Sequence, residues 1–308
     1  MRKTIWALSL ILLAARPVVA AEPTFESHWR DGKAELDGYR YEVTRYGERR
    51  AGEAVMIFVT EPWSESERVK VDDPARNPAL TFEALKLNLV RDFVTGIYDY
   101  NTMVSVFTRS TDFSPVKISL SSAEWCGHVY NEVRFDPEGL RDDLWSYFQG
   151  ESGTRTLEAR KGAVSEDQLF IAIRGLRGEF LKPGEKRSVP FLPGLLQLRL
   201  THRPMEWTTA LIERKRADET VEVPAGRFPA AVYTVRTEGG REGRFWVETA
   251  HPHRIVKWTW SLPGAAGRAG DSSESGELAG TLREAYWKLN GPGNERYREQ
   301  LGLRATAR

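Results

Sequence analysis

Along most of this chain, apolar and polar residues alternate with a period of two, the pattern of strands with one buried face. Tyr39, Tyr41 and Val43 alternate with polar neighbours, Gly47 to Gly52 supplies a turn, Ala54 to Val59 returns, and Pro62 ends the return strand. The lead-in to this hairpin suits one helical turn that packs Trp29 on the sheet. Ser64 to Pro78 is charged and punctuated by proline, hence a loop. Leu85, Leu87 and Leu89 alternate on the next strand, and Phe93 to Phe107 reads as a hairpin with Tyr98, Tyr100, Val104 and Val106 on one face. Trp145 to Leu157 is a strand or hairpin around Gly150 and Gly153, and a helix-compatible run spans Glu166 to Leu176.

The later part repeats the pattern. Leu196, Leu198 and Leu200 alternate, strands follow over 208–216 and 219–223, and Ala231, Tyr233 and Val235 lead into the turn Glu238-Gly239-Gly240-Arg241. The chain returns over 244–248, turns at His251-Pro252-His253, and places Val256, Trp258, Trp260 and Leu262 on one strand face, with both tryptophans pointing inward. A Gly/Ala/Ser loop from Leu262 to Gly276 precedes a last strand. Many short strands and little amphipathic helix predict an antiparallel all-β chain, with curved sheets or a barrel in two halves and few short helices. The expected divisions are a β-rich half over 22–160, a Gly- and Pro-rich junction over 161–193, a β-meander over 194–289, and a polar tail over 290–308, helical or disordered.

The stretch from Lys117 to Phe135 stands out because it holds the only cysteine and one of five histidines. Read as a strand, it places Trp125, Val129, Val133 and Phe135 on a core face and Glu124, Cys126, His128, Tyr130 and Glu132 on the other. Ile118 and Leu120 share the parity of that polar row. The apolar side therefore switches near Ser121 and Ser122, where a bulge or a meeting of two strands is expected. The polar row is either an outer surface or the wall of a pocket between the halves, and the pocket is the expectation adopted, because cysteine and tyrosine are costly on open surface.

Met1 to Ala21 carries Arg2 and Lys3, an apolar run from Ile5 to Ala15, and small residues at Val19 and Ala21, the layout of a secretory signal peptide cleaved after Ala21. The mature chain is then expected in the periplasm or outside the cell. No later stretch approaches the roughly 18 apolar residues of a membrane helix, so no membrane span is expected. Of 44 Lys+Arg and 43 Asp+Glu, removal of this segment leaves 41 and 43, about −2. That balance, with no basic run interleaved with aromatics, argues against a nucleic-acid partner. A single cysteine excludes an intramolecular disulfide, so the fold must rest on packing.

Val223 to Val235 (V-P-A-G-R-F-P-A-A-V-Y-T-V), Gly243 to Glu248 (G-R-F-W-V-E), His251 to Lys257 (H-P-H-R-I-V-K) and the closing E-L-A-G-T-L resemble the uncharacterised secreted bacterial proteins grouped as DUF3108. Over most of its length the chain is also similar to bacterial sequences labelled septum formation inhibitor Maf. The S-x-R-R motif of the nucleotide pyrophosphatases of that name has no counterpart here, since Glu48-Arg49-Arg50 lacks the serine. The resemblance implies a periplasmic β-rich protein and carries no reaction with it.

Trp125-Cys126-Gly127-His128 resembles the W-C-G-H-C of thiol oxidoreductases, but Val129 replaces the second cysteine and no dithiol cycle can run. A thiolate activated by His128 and an inert buried Cys126 are the alternatives. His251 and His253 have spacing suited to two metal ligands; Pro252 makes a turn the simpler reading, and with no third ligand neither a metal nor a cofactor is expected. On a straight strand Glu124 and Glu132 stand about 27 Å apart, too far for a glycosidase pair. G-x-S-x-G, H-E-x-x-H and Walker patterns are absent from the sequence. Two functions follow. One is an envelope binding protein for an apolar or glycan ligand, with Tyr98, Tyr100, Asn101 and Cys126 as lining. The other is a hydrolase or lyase acting on an envelope polymer, with Glu124, His128 and Tyr130 as acid/base groups.

Overall fold

The computed structural model describes residues 24–262 and 273–304. The proposed leader, 1–21, and most of the Leu262 to Gly276 loop lie outside the described residues. The chain is all-β. Strands β1 (Ala34–Arg45), β2 (Glu48–Ser64), β3 (Thr81–Thr95), β4 (Tyr98–Arg109), β5 (Pro115–Glu124), β6 (Gly127–Asp136), β7 (Gly139–Ser146) and β8 (Gly153–Glu158) come first. They are followed by β9 (Val164–Ser165), β10 (Lys186–Leu192), β11 (Thr208–Arg214), β12 (Glu219–Val223), β13 (Gly226–Thr237), β14 (Glu242–Glu248), β15 (Ile255–Ser261) and β16 (Glu274–Glu284). Among the described residues four short α-helices accompany them: α1 (Phe25–Trp29), α2 (Glu166–Ala172), α3 (Leu195–Thr201) and α4 (Tyr297–Gln300).

All 16 strands join one open, curved sheet in the order β8-β7-β6-β5-β4-β3-β2-β1-β16-β15-β14-β13-β11-β10-β9, with β12 paired to β13. It is antiparallel except for β9 on β10. The two halves anticipated from the sequence meet where β1 pairs with β16, so they share one sheet. The segment expected as a junction, 161–193, holds β9, α2 and β10 at one end of that sheet. Sequential hairpins produce this order because each tight turn returns the chain beside itself. Tyr46 (φ 57°) and Gly47 (φ 76°) both have positive φ, the conformation of a two-residue turn that matches strand twist.

A sheet this wide needs a cover for its concave face, and α1, α2 and α3 provide it. The main core joins Tyr39, Met56, Leu87, Val104 and Ile118 of the strands to Trp29, Phe170 and Leu196 of the helices. Trp258 and Trp260 are both buried, as the alternation required. Each lies over a glycine of the paired strand: a Cβ at Gly276 would fall 2.0 Å from the Trp258 ring, and one at Gly243 would fall 2.7 Å from Trp260. Buried ion pairs fix how the helical layer sits on the sheet. Arg174, just after α2, holds Glu35 of β1 at 2.7 Å; Glu166 of α2 pairs with Arg241; and Arg199 of α3 pairs with Glu124 of β5.

Three local expectations are corrected. Leu196, Leu198 and Leu200 belong to helix α3, not to a strand. The helix lies inside the concavity with Leu195, Leu196, Leu198 and Leu200 all buried, so it lacks the polar face that would reveal a 3.6-residue period. Pro62 does not end β2, which continues to Ser64 paired with Thr81. The 117–135 stretch is a hairpin rather than one strand with a bulge, since β5 runs unbroken through Ser121 and Ser122 and the chain turns at Trp125 and Cys126. The tail also folds back: Leu301 and Leu303 pack with Ala34, Leu36 and Val59 on the outer face, over the close-set glycines Gly38 and Gly280.

Candidate functional site

The hairpin decides where each candidate residue goes. Because β5 and β6 have opposite directions, Glu124 pairs with Gly127, and the row from Glu124 to Glu132 does not share one face. Glu124 points into the concavity and is buried against Arg199. Cys126 is exposed at the turn, His128 is exposed, and Tyr130 is exposed on the outer face, where its hydroxyl donates to Glu132 Oε2 at 2.7 Å. The straight-strand spacing of Glu124 and Glu132 is likewise replaced, Glu132 now standing opposite Ser119. Thus the structure does not gather Glu124, His128 and Tyr130 into one cleft. Tyr100 is buried beneath the same end of the sheet: its hydroxyl meets Tyr46 at 2.8 Å and accepts from Arg45 Nε at 3.2 Å. Burial, then hydrogen bonds to Glu124 and Tyr46, push its phenol well above the usual range. Tyr98 is half-exposed beside it, and Asn101 faces outward.

Tyr100 and Asn101 do line a pocket, together with Gly52, Asp92, Phe93 and Arg298, and a separate one lies between α3 and the concave side of β5 to β8. Leu120, Val129, Leu144, Leu195, Leu198 and Met205 supply an apolar wall to a cavity of about 130 Å³. That compares with the roughly 150 Å³ cavity that accepts benzene in an engineered core, so the space suits one ring or a short chain. Polar groups interrupt the wall at defined places. Asn131 Nδ2 donates to Asp142 Oδ1 at 2.5 Å and to the Asp143 carbonyl at 3.1 Å. Arg155 lies 3.8 Å from Asp142, whose carboxyl burial pushes above its ordinary range. At the mouth, Glu151 accepts from Ser146 at 2.6 Å and meets His202 Nδ1 at 2.7 Å. Burial raises the Glu151 carboxyl, but the bonds from Ser146 and His202 outweigh it and leave it below the usual value.

Arg199 is the feature that sets this pocket apart. It lines the cavity, is buried, stacks 4.4 Å over Phe148, and spends one nitrogen, Nη2, on Glu124. Its Nε and Nη1 are buried with no hydrogen-bond partner. Buried donors are almost always satisfied, and a guanidinium in a cavity wall suits an oxygen-bearing occupant. The charges balance, with Arg155, Arg199 and Arg203 against Glu124, Asp142 and Glu151. No hydroxyl or thiol lines the cavity, so its chemistry is that of donors, acceptors and apolar contact.

Sequence reasoning reached Glu124 and missed Arg199, Asn131, Asp142 and His202. One signal was present: Arg199 is the single charge within the apolar run Leu195 to Leu200, and such a charge must find a partner inside the fold. Among the described residues, no group of three or more His, Cys, Asp or Glu is placed to hold a metal ion. No helix among them is long and apolar enough to cross a membrane. In comparisons with known proteins, the chain matches no family model, no curated protein and no solved structure.

Proposed function

We propose that this is an exported, DUF3108-like envelope protein that binds a small uncharged amphiphile in the pocket between α3 and β5 to β8. The observation that carries the reading is Arg199, a buried charge set into the largely apolar lining of a cavity of about 130 Å³. The apolar wall takes a short chain or ring, the Arg199 guanidinium takes an ester or hydroxyl oxygen, and the Asn131 carbonyl oxygen, both of whose amide N–H groups are spent on Asp142 and Asp143, accepts from a hydroxyl. The balanced charges around the cavity favour an uncharged ligand over a fatty acid or a phosphate. Export rests on the leader read from Met1 to Ala21.

Calorimetric titration with a short-chain monoacylglycerol, the fatty acid of equal chain length and a neutral oligosaccharide tests this. The monoacylglycerol is expected to bind one to one, at least tenfold more tightly than either other probe. Leu144→Trp, at a half-exposed wall position, is expected to fill the cavity and remove that binding while leaving the unfolding midpoint unchanged. Equal binding by the variant, or no binding by the wild type, would sink the reading. A second reading, hydrolysis of an envelope polymer, is favoured by one observation: Asp142 is pushed up while Glu151 is held down, the split that an acid and a base require. It predicts turnover that Asp142→Asn abolishes without loss of binding.

A further inference from the structure

Hairpin tips are ordinarily built of Gly, Asn, Asp, Ser and Pro. At one end of the sheet four successive tips break that habit. The β1–β2 turn exposes Tyr46 (58%), the β3–β4 turn Ile97 (83%), the β5–β6 turn Trp125 (68%), and the loop after β7 Tyr147 (64%). The other ends of the same strands provide a comparison. There the β2–β3 connection mixes Arg68, Lys70, Asp72 and Asp73 with the exposed Val69 and Leu80, the β4–β5 turn carries Asp112, and the β6–β7 turn is Pro137-Glu138, with no exposed aromatic among them. Along 45–48, 95–98, 125–127 and 147–150 the only charged residues are Arg45 and Glu48, and Arg45 is bonded inward to the Leu200 carbonyl at 2.9 Å.

The four tips form one row. Alternate strands lie about 10 Å apart, so the row extends roughly 30 Å along the sheet end. Its members touch: Tyr98 donates to Tyr46 at 3.2 Å, the rings of Tyr98 and Trp125 lie 6.5 Å apart, and the Tyr147 ring packs against Gly127, where a Cβ would stand 2.3 Å from it. Exposed hairpin tips with little charge, mixing aliphatic Ile97 with Trp and Tyr that keep a polar end, suit the boundary between acyl chains and headgroups. The last prong also adjoins the pocket, since Phe148 packs on His202 at 4.8 Å and Gly150 and Glu151 line its mouth.

We infer that this row of hairpin tips docks the protein on a lipid surface, with the mouth of the α3 pocket held next to the bilayer that supplies its ligand. The supply of ligand rests on the binding reading above; the docking does not.

The full chain offers its own reporter, because Cys126, the only cysteine, is exposed at the third tip. Labelled there with an environment-sensitive fluorophore and titrated with phosphatidylcholine vesicles, the protein is expected to show a saturable blue shift. The same label at Thr111→Cys in a Cys126→Ser background, on the opposite end of the sheet, should show none. Ile97→Asp combined with Tyr147→Ser should weaken vesicle binding at least tenfold at a nearly unchanged unfolding midpoint, as both side chains are largely exposed. Absence of a shift at position 126, an equal shift at position 111, or a dimer in sedimentation that Ile97→Asp dissociates would each overturn the inference, the last by assigning the row to a second copy. Leu144→Trp should leave vesicle binding intact, so failure of the pocket reading and failure of the docking are separately visible.

Discussion

Removing either partner of the Arg199–Glu124 pair should cost far more stability than removing both. Their side chains are 3% and 2% exposed, so neither charge reaches solvent. In Glu124→Leu the guanidinium keeps its full charge and loses its hydrogen bond to Glu124, with Nε and Nη1 already unpartnered. Loss of one partner of a buried pair costs about 3 to 5 kcal/mol, against a total stability of roughly 5 to 15 kcal/mol. Arg199→Met leaves the Glu124 carboxylate buried instead and also loses the contact over Phe148, worth about 0.5 to 2 kcal/mol. The double variant replaces two charges by apolar groups of similar length and should fall within about 1 kcal/mol of the wild type, or above it. Urea unfolding followed by tryptophan fluorescence measures all four proteins, and equal slopes would show that the unfolded states are comparable. If each single change costs less than about 1 kcal/mol and the two simply add, then α3 is not fixed to β5 by this pair and the pocket geometry built on it fails.

Trp258→Ala and Trp260→Ala should each lower stability by about 3 to 5 kcal/mol, since both rings fill the core over glycines; unchanged midpoints in urea would contradict the register of β15. Gly280→Val should free the tail, because even a Cβ there would lie 2.1 Å from the Gln300 carbonyl oxygen; proteolysis near residue 300 should speed up while the core transition persists. Burial, reinforced by the neighbouring Glu166, raises the Asp167 carboxyl to about 7. The folded state therefore holds a proton that the unfolded state releases near pH 4, so stability falls as pH rises from about 4 to 7 and then levels off. Asp167→Asn should flatten that segment of the profile, and a wild-type profile that is already flat there would refute the assignment.

The strands were legible because a sheet with one buried face writes its period directly into the chain, as Tyr39-Tyr41-Val43 and Trp258-Trp260 do. The helical layer was less so. In Leu195 to Leu200 every apolar side chain is buried, and six residues cannot distinguish a period of two from one of 3.6 when no polar face exists. Trp125-Cys126 escaped as a turn because neither residue is a turn former, with Gly127 the one local clue; the same side chains that hid the turn make up the third prong of the aromatic row. The apparent switch at Ser121 and Ser122 has a different cause. β5 keeps its face throughout, and its inward positions turn polar at Ser122 and Glu124, the latter because it pairs with Arg199. The pocket was out of reach for a related reason: Asn131 and Asp142 acquire meaning only once β6 and β7 are paired and α3 is laid across them.

Whether the cavity lined by Arg199 holds an uncharged amphiphile is read most directly by native mass spectrometry of the protein purified from its own cells. A one-to-one adduct is expected, its released mass that of a neutral, oxygen-bearing molecule with a short apolar chain or ring, present in the wild type and absent from Leu144→Trp. A wild-type protein that flies without an adduct after exposure to envelope lipid extract, or an adduct that persists in Leu144→Trp, would contradict it.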